Sequence, residues 1–334
     1  MSRIAEVTLE TPTGRLGGTA LLRTLGLLGL FIVTAAFWVF FALFASGFLS
    51  DFNLFSLLRF AAIQIMIGFA QMVVLSIGDM NLAVGAIGGT AGMLAGWLLS
   101  LALPIPIAVA LALGAGCLLG LLNGGLIRLT GLNSFIVTLA SASLVTGAML
   151  ILTRARPFSS LPAALTDFAQ VEIPGTPVSP LFVLTAILGF GLYLLFADTR
   201  LGREMLAIGA NRRAALMSGV AVGRVVLITH LLSGLLAAAA GVMSIAANNT
   251  ASPGLGNDWV LSSFVAPAIG GTLLSGGLVS IVGTGLGGIL VATLGSGLLL
   301  VGVDNFWLEL FLGLVLLAAV GLDRVTRAAG GAGN

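Results

Sequence analysis

Long, uniformly apolar tracts alternate with short polar links along this 334-residue chain. Spans are predicted over about 24–48, 60–78, 133–152, 180–197, 225–246 and 305–321, with two more on either side of the "LPIP" break at 103–106. Another two fit between Asp258 and Asp304, broken at "GGTLLSGG", 270–277. An apolar run of about 20 residues matches the hydrocarbon thickness of a bilayer. Lipid leaves no exposed backbone unsatisfied, so spanning segments are helices or a closed barrel. Barrel strands alternate apolar and polar positions over about ten residues, and these tracts do not. The pattern therefore predicts an all-α membrane protein, a polytopic bundle of about ten transmembrane helices.

Composition agrees. Hydrophobic residues make up 58% and charged residues 8% of the chain, against about 25% charged in soluble domains. The first apolar tract is too long for a signal-peptide core and reads as a retained span. All 14 basic residues are arginine. Without lysine there is no Walker A loop and no Schiff-base site for retinal or pyridoxal phosphate. Cys117 stands alone, which excludes a disulfide framework and a cysteine metal site. No catalytic set, no metal site, no cofactor and no nucleic-acid partner is expected.

Charge sets the orientation. Ten spans place both ends on one side, where Arg3, Arg15, Arg23, Arg324 and Arg327 join Arg128 and the stretch from Arg200 to Arg224. The other side carries Arg154 and Arg156 beside Asp167, Glu172, Asp258, Asp304 and Glu309. Arginine bias marks the cytoplasmic face. The chain reads as one transmembrane domain over 1–334, with cytoplasmic tails at 1–23 and 322–334, a cytoplasmic loop at 199–224 and a proline-rich outer loop at 157–179.

Glycines fall at spacing four in Gly88/Gly92/Gly96, Gly116/Gly120/Gly124 and Gly283/Gly287. That spacing stacks them on one helix face, where helices approach closely. "AIGGT" occurs at 86–90 and again at 268–272, each copy after a carboxylate-bearing link. Matching interruptions in two halves suggest an internal inverted repeat, as in many transporters.

The loop at 199–224 is unusual. It holds five arginines and reads as two short helical pieces punctuated by Gly209 and Asn211. A topogenic loop needs only the arginines. Apolar residues among them (Met205, Leu206, Ile208, and Ala214 to Met217) suggest a docking surface for a partner or the membrane.

"TRLGREMLAIGANRRAALMSGVAVGRV" resembles the cytoplasmic loop of permease subunits of ribose/xylose/galactose-type ABC importers. "SIGDMNLAVGAIGGTAGML", "LNSFIVTLASASLVTGAMLILT" and "APAIGGTLLSGGLVSIVGTGLGGIL" are similar, in order, to further segments of that family, over roughly 55–320. The resemblance implies a multi-pass permease of the bacterial inner membrane. It would work as a pair, as a homodimer, with a cytoplasmic ABC ATPase below and a periplasmic substrate-binding protein above. Its loop would be the ATPase-coupling element, carried by Gly202, Arg203, Gly209, Asn211, Arg213, Ala214, Ala215 and Gly219. The glutamate found in this loop across importer permeases is absent, its aligned neighbourhood being Arg213-Ala214-Ala215 with Gly219 beyond. The family's "GIDLS" is "GDMNL" here, so Asn81 takes the acidic position and the aspartate lies at 79; Ser134 replaces a usual proline.

Asp79, Asn81, Asn133, Ser134, Asn248 and Asn249 are the candidates for the substrate path. A carboxylate at the bilayer centre costs about 2.5–3.5 kcal/mol, so Asp79 either faces protein or water, or caps the next helix at the interface. His230 reads as a packed histidine, with a proton relay as the second reading. Trp259 and Trp307 are expected to anchor at the outer interface. The expected function is the path-forming subunit for a monosaccharide or related small polar solute. The alternatives are an ABC permease for branched-chain amino acids, nucleosides or a signalling sugar, and an ion-coupled carrier that would depend on Asp79 or His230.

Overall fold

The computed structural model describes residues 15–159, 161–304 and 306–331. Ten helices carry the apolar tracts: α1 (Arg15–Phe44), α2 (Asp51–Leu75), α3 (Val84–Ser100), α4 (Ile105–Thr130), α5 (Ser134–Thr153), α7 (Pro180–Asp198), α10 (Val222–Asn248), α11 (Trp259–Ile269), α12 (Ile281–Leu300) and α13 (Phe306–Gly331). A short α6 (Ala163–Gln170) lies in the proline-rich link, and α8 (Arg200–Ala210) and α9 (Arg212–Met217) form the basic loop. Among the described residues, seven helices are long and apolar enough to cross a membrane, while Val84–Ser100, Trp259–Ile269 and Trp307–Ala318 are shorter.

Local chemistry sets most boundaries. The Ser50 hydroxyl accepts from Asn53 N and starts α2, so Asp51 and Arg59 lie inside a helix and not in a link. Arg59 stacks over Phe55 one turn away, its guanidinium 5.4 Å from the ring centre. Pro104 and Pro106 open α4, and Gly131 ends it in the left-handed conformation at φ 67°. The tails expected at 1–23 and 322–334 are helical in part: α1 begins at Arg15 and α13 runs to Gly331. The rest of those tails lies outside the described residues.

Two matched halves emerge from the packing. The buried helices α2 and α10 pack on each other, α10 also on α3 and α4, and α2 also on α11 and α12. Each half's first helix is thus embedded in the other half. α2 runs toward the basic loop, since Gly209 of that loop abuts Ser76 just beyond it, and α10 runs away from it. That opposition is the arrangement an inverted repeat of α2–α5 against α10–α13 would have. The two "AIGGT" copies are not its equivalent positions: 86–90 lies within α3, whereas 268–272 covers the end of α11 and the following turn.

One expected pass is not a full pass. After α10, Thr250–Ala251 (β2) pairs antiparallel with Phe158–Ser159 (β1). The chain then dives along α3. A side chain added at Gly96 would meet Ala251, at Gly92 and Gly89 Leu255, at Gly85 Gly256, and at Gly88 Trp259. This glycine face receives an extended segment as well as α10, whose Gly241 abuts Gly88. The stripe at Gly116, Gly120 and Gly124 fits the helix–helix expectation, facing Gly234, His230 and Leu227 of α10. α11 therefore starts inside the bundle, and its 11 residues rise only about 16 Å. Trp259, at 5% exposure, is buried against α3 and is no interfacial anchor. Trp307 is exposed at the start of α13, and Trp38 ties α1 to α12 by donating from Nε1 to Thr293 Oγ1 at 2.9 Å.

Candidate coupling and translocation site

The basic loop folds as two helices sharing one residue. Thr199 caps α8, its Oγ1 accepting from Gly202 N at 3.1 Å. Asn211 ends α8 and caps α9, its Oδ1 accepting from Ala214 N at 3.0 Å. The break is therefore at Asn211 alone. Gly209 is helical, and a side chain there would strike Ser76 O and the backbone of Gly276 and Gly277. Gly78 and Gly276 meet in the same place, and Gly277 N donates to Ser76 O at 3.0 Å. The loop is thus clamped by close backbone contacts to both interrupted segments, 76–83 and 270–280. Gly209 is a contact point and not a hinge.

This geometry redistributes the predicted coupling residues. Met205 and Ile208 point into the chain's own core at 0% and 1% exposure, and Ala215 is buried at 5%. Gly202 abuts Leu195 and Phe196. Arg203 donates to Asp198 O at 3.2 Å, and Arg200 pairs with Glu204 at 2.7 Å. The apolar face of α8 is accordingly an anchor to this protein rather than a surface offered to another. The exposed apolar groups are Leu216 and Met217, at 62% and 84%, beside the exposed Arg213, Ala214 and Gly219. The sequence placed Leu216 and Met217 in one docking surface with Met205 and Ile208, because period alone does not separate an anchored face from an offered one.

Four of the six path candidates lie around the 76–83 interruption. Asn81 is fully buried; its Nδ2 donates to Ser233 Oγ at 2.9 Å and its Oδ1 accepts from Ala83 N at 3.0 Å, steadying the start of α3. Asp79 makes no such cap, contrary to the interfacial reading. Oriented to satisfy both groups, the Gln71 amide donates to Asn81 O at 2.9 Å and accepts from Asn81 N at 3.3 Å. Ser134 Oγ accepts from Met80 N, and Thr138 Oγ1 from Leu82 N, both at 3.0 Å. The interruption is thereby laced to α5, α10 and α2. Gln71, Thr138 and Ser233 were not legible as site residues, since single polar residues in apolar tracts are common. Asn133 is exposed and caps α5.

The other two candidates sit apart, at the opposite end of α10. Asn248 donates to Ser244 Oγ at 3.3 Å, and Asn249 Oδ1 accepts from Leu161 N at 3.1 Å. They brace the β1–β2 corner and do not meet the inner cluster.

Asp79 itself lies between a guanidinium and an imidazole. Its Oδ1 is 3.7 Å from Arg212 Nη1 and its Oδ2 is 3.5 Å from His230 Nε2. The two ionisable residues that an ion-coupled carrier would need do meet, at the loop end of the bundle.

A helical, multi-pass membrane protein with a short two-helix loop clamped to its interrupted segments is the class this architecture defines. Residues 53–320 match the model of a family described as "Branched-chain amino acid transport system / permease component". The chain is 36% identical to the ribose import permease protein of Bacillus subtilis (strain 168) over 320 residues, covering 95% of this chain and 97% of that protein. It is 30% identical to the D-allose transport system permease protein of Escherichia coli (strain K12) over 297 residues, 88% of this chain and 90% of that protein. It is 31% identical to the autoinducer 2 import system permease protein of Salmonella paratyphi B over 265 residues, 77% and 79% of the two chains. No solved structure matches the chain. The chain belongs to this permease family. It is a membrane-spanning permease subunit of an ABC importer, without an ATP site of its own, and the family implies an ATPase and a substrate-binding protein as its partners.

Proposed function

We propose that two copies of this chain form the path for a monosaccharide of the ribose or allose class, with the loop and both termini cytoplasmic. The observation that carries the pairing is α5. Its inner end is held by Ser134 and Thr138, yet Phe135, Ile136, Leu139, Ala140, Ser143 and Leu144 are exposed along one side. A helix that mixes small and hydroxyl residues into an exposed face suits a protein-facing, solute-lining role better than plain lipid contact. Ser134 and Asn133 stand at its inner end, next to Asp79 and Asn81. The ATPase docks on the exposed end of the loop, at Leu216, Met217 and Arg213, with Ala214 and Gly219 at the edge. Gly202, Arg203, Gly209, Asn211 and Ala215 shape that loop from behind. Asn248 and Asn249 lie at the outer end, toward the binding protein. The sugar class is supported by the named substrates of the ribose and allose relatives.

The test is uptake in cells lacking their own pentose and hexose importers, supplied with this chain and its cognate ATPase and binding protein. Radiolabelled ribose or allose should accumulate in an energy-dependent way, whereas leucine and uridine should not. Accumulation of leucine or uridine alone would reverse the substrate reading.

Topology has its own check. In a chain with Cys117 replaced by alanine, cysteines at Arg156, Thr176 and Asn249, all exposed, should react with an impermeant maleimide from outside. Cysteines at the exposed Arg128 and Arg212 should react only after permeabilisation. The opposite pattern would invert the topology.

A further inference from the structure

Asp79 is the single buried carboxylate among the described residues, at 8% exposure. Such a group is costly unless paired and hydrogen-bonded. Here neither contact is a hydrogen bond: Arg212 stands at 3.7 Å and His230 at 3.5 Å. Asp79 Oδ2 and both ring nitrogens of His230 are buried without a hydrogen-bond partner. The carboxylate is thus suspended between a guanidinium on the loop, about half exposed at 54%, and an imidazole fixed in α10 at 0%. Each oxygen thus faces its own partner, one on the loop and one in the core, so a displacement of the loop leaves the carboxylate with the core partner alone.

The segment that carries Asp79 is connected onward. Met80 and Leu82 donate their backbone N–H groups to Ser134 and Thr138 of α5, and Asn81 holds Ser233 of α10. Behind it, Gly209 presses on Ser76 and on Gly276–Gly277. A shift of the loop therefore reaches α5 by one continuous route: Arg212, Asp79, residues 80–82, then Ser134 and Thr138.

We infer that Asp79 is the positioning residue that transmits movement of the ATPase-docking loop to α5, by losing Arg212 and keeping His230 as its partner. With Arg212 engaged, the carboxylate is drawn toward the loop. When the loop is displaced, the carboxylate keeps His230 Nε2, 3.5 Å away, as its one partner, and the 80–82 segment moves with it. The inference rests on the docking reading above, and its test separates the two.

The measurement uses the assembled permease–ATPase complex in lipid nanodiscs, in the Cys117→Ala background with a reporter Ala140→Cys on the exposed side of α5. Maleimide labelling of the reporter is followed with and without ATP plus vanadate, which needs no transported solute. In the parent, trapping should change the labelling rate at least about fivefold, the lower end of ordinary coupling between sites. Asp79→Asn and Arg212→Gln should each abolish most of that change while the ATPase still co-purifies. The double variant should be no worse than either single, because the two residues act as one contact. Loss of co-purification in the parent would defeat the docking reading. A parent that couples, with variants that respond normally or with effects that multiply, would overturn the Asp79 inference. Should Asp79→Asn fail to fold, Arg212→Gln decides alone: its side chain lies half exposed on the loop, and normal coupling in it contradicts the proposal.

Discussion

Leu216→Asp combined with Met217→Asp is expected to release the ATPase from the permease while leaving the permease folded. Both side chains are exposed, at 62% and 84%, so the change costs the isolated chain little. In a complex, exposed apolar groups on a short helix are the ones that enter a partner's cleft, and loss of such an anchor typically costs at least about 2 kcal/mol. A buried unpaired carboxylate adds to that. A combined loss of about 3–4 kcal/mol weakens association several-hundredfold. Rim charges contribute far less, so Arg203→Gln should change affinity by no more than a few-fold. Co-purification at defined ATPase concentrations reads the difference. Ala215→Asp gives a contrasting outcome. Ala215 is 5% exposed within this chain, so the variant should lose thermal stability before it loses any docking contact.

The second large effect is on folding. Gly209→Leu should leave little monodisperse permease in detergent. The atoms that a side chain would meet are Ser76 O and the Gly276–Gly277 backbone, and backbone cannot turn aside as a flexible side chain can. Overpacking in ordinary cores costs about 1–3 kcal/mol. Here the clash prises apart a backbone junction between the loop and both interrupted segments, so the cost should reach or exceed the upper end. Gly131→Ala is the control: Gly131, unlike the helical Gly209, has positive φ, but nothing lies within reach of an added Cβ, which leaves only backbone strain of about 1–2 kcal/mol. Size-exclusion profiles and thermal unfolding of the two variants separate the mechanisms.

How much of this was legible in the chain depended on what each signal reports. Proline at 104 and 106, Gly131 and Asn133 act on the backbone where they stand, and the α3–α4 and α4–α5 breaks follow them closely. Charge located the loop at 199–224 for the same reason. Depth was not legible. Residues 250–269 carry only Asp258 as a charged group, and hydropathy does not separate a full span from an extended segment followed by a half-helix. Trp259 was misplaced on that account. The function of α3's glycines was half legible: the spacing announces a close approach, while the identity of the approaching segment is settled far along the chain. Asp79 shows the same limit. Its local setting suggested a cap, and its actual partners, Arg212 and His230, come from the loop and from the second half of the repeat. Met205, Ile208, Leu216 and Met217 look equivalent in sequence, yet the first two anchor the loop and the last two face out.

The central claim is that this chain supplies a path and that a separate ATPase drives it through the 199–224 loop. ATP hydrolysis and uptake by purified components in proteoliposomes test it most directly. The chain alone should hydrolyse no ATP above empty vesicles. Addition of the ATPase, with loaded binding protein, should give hydrolysis and uptake together, and the Leu216→Asp/Met217→Asp chain should give neither. Hydrolysis by the chain alone, or uptake that persists without the ATPase and collapses with an uncoupler, would contradict the account.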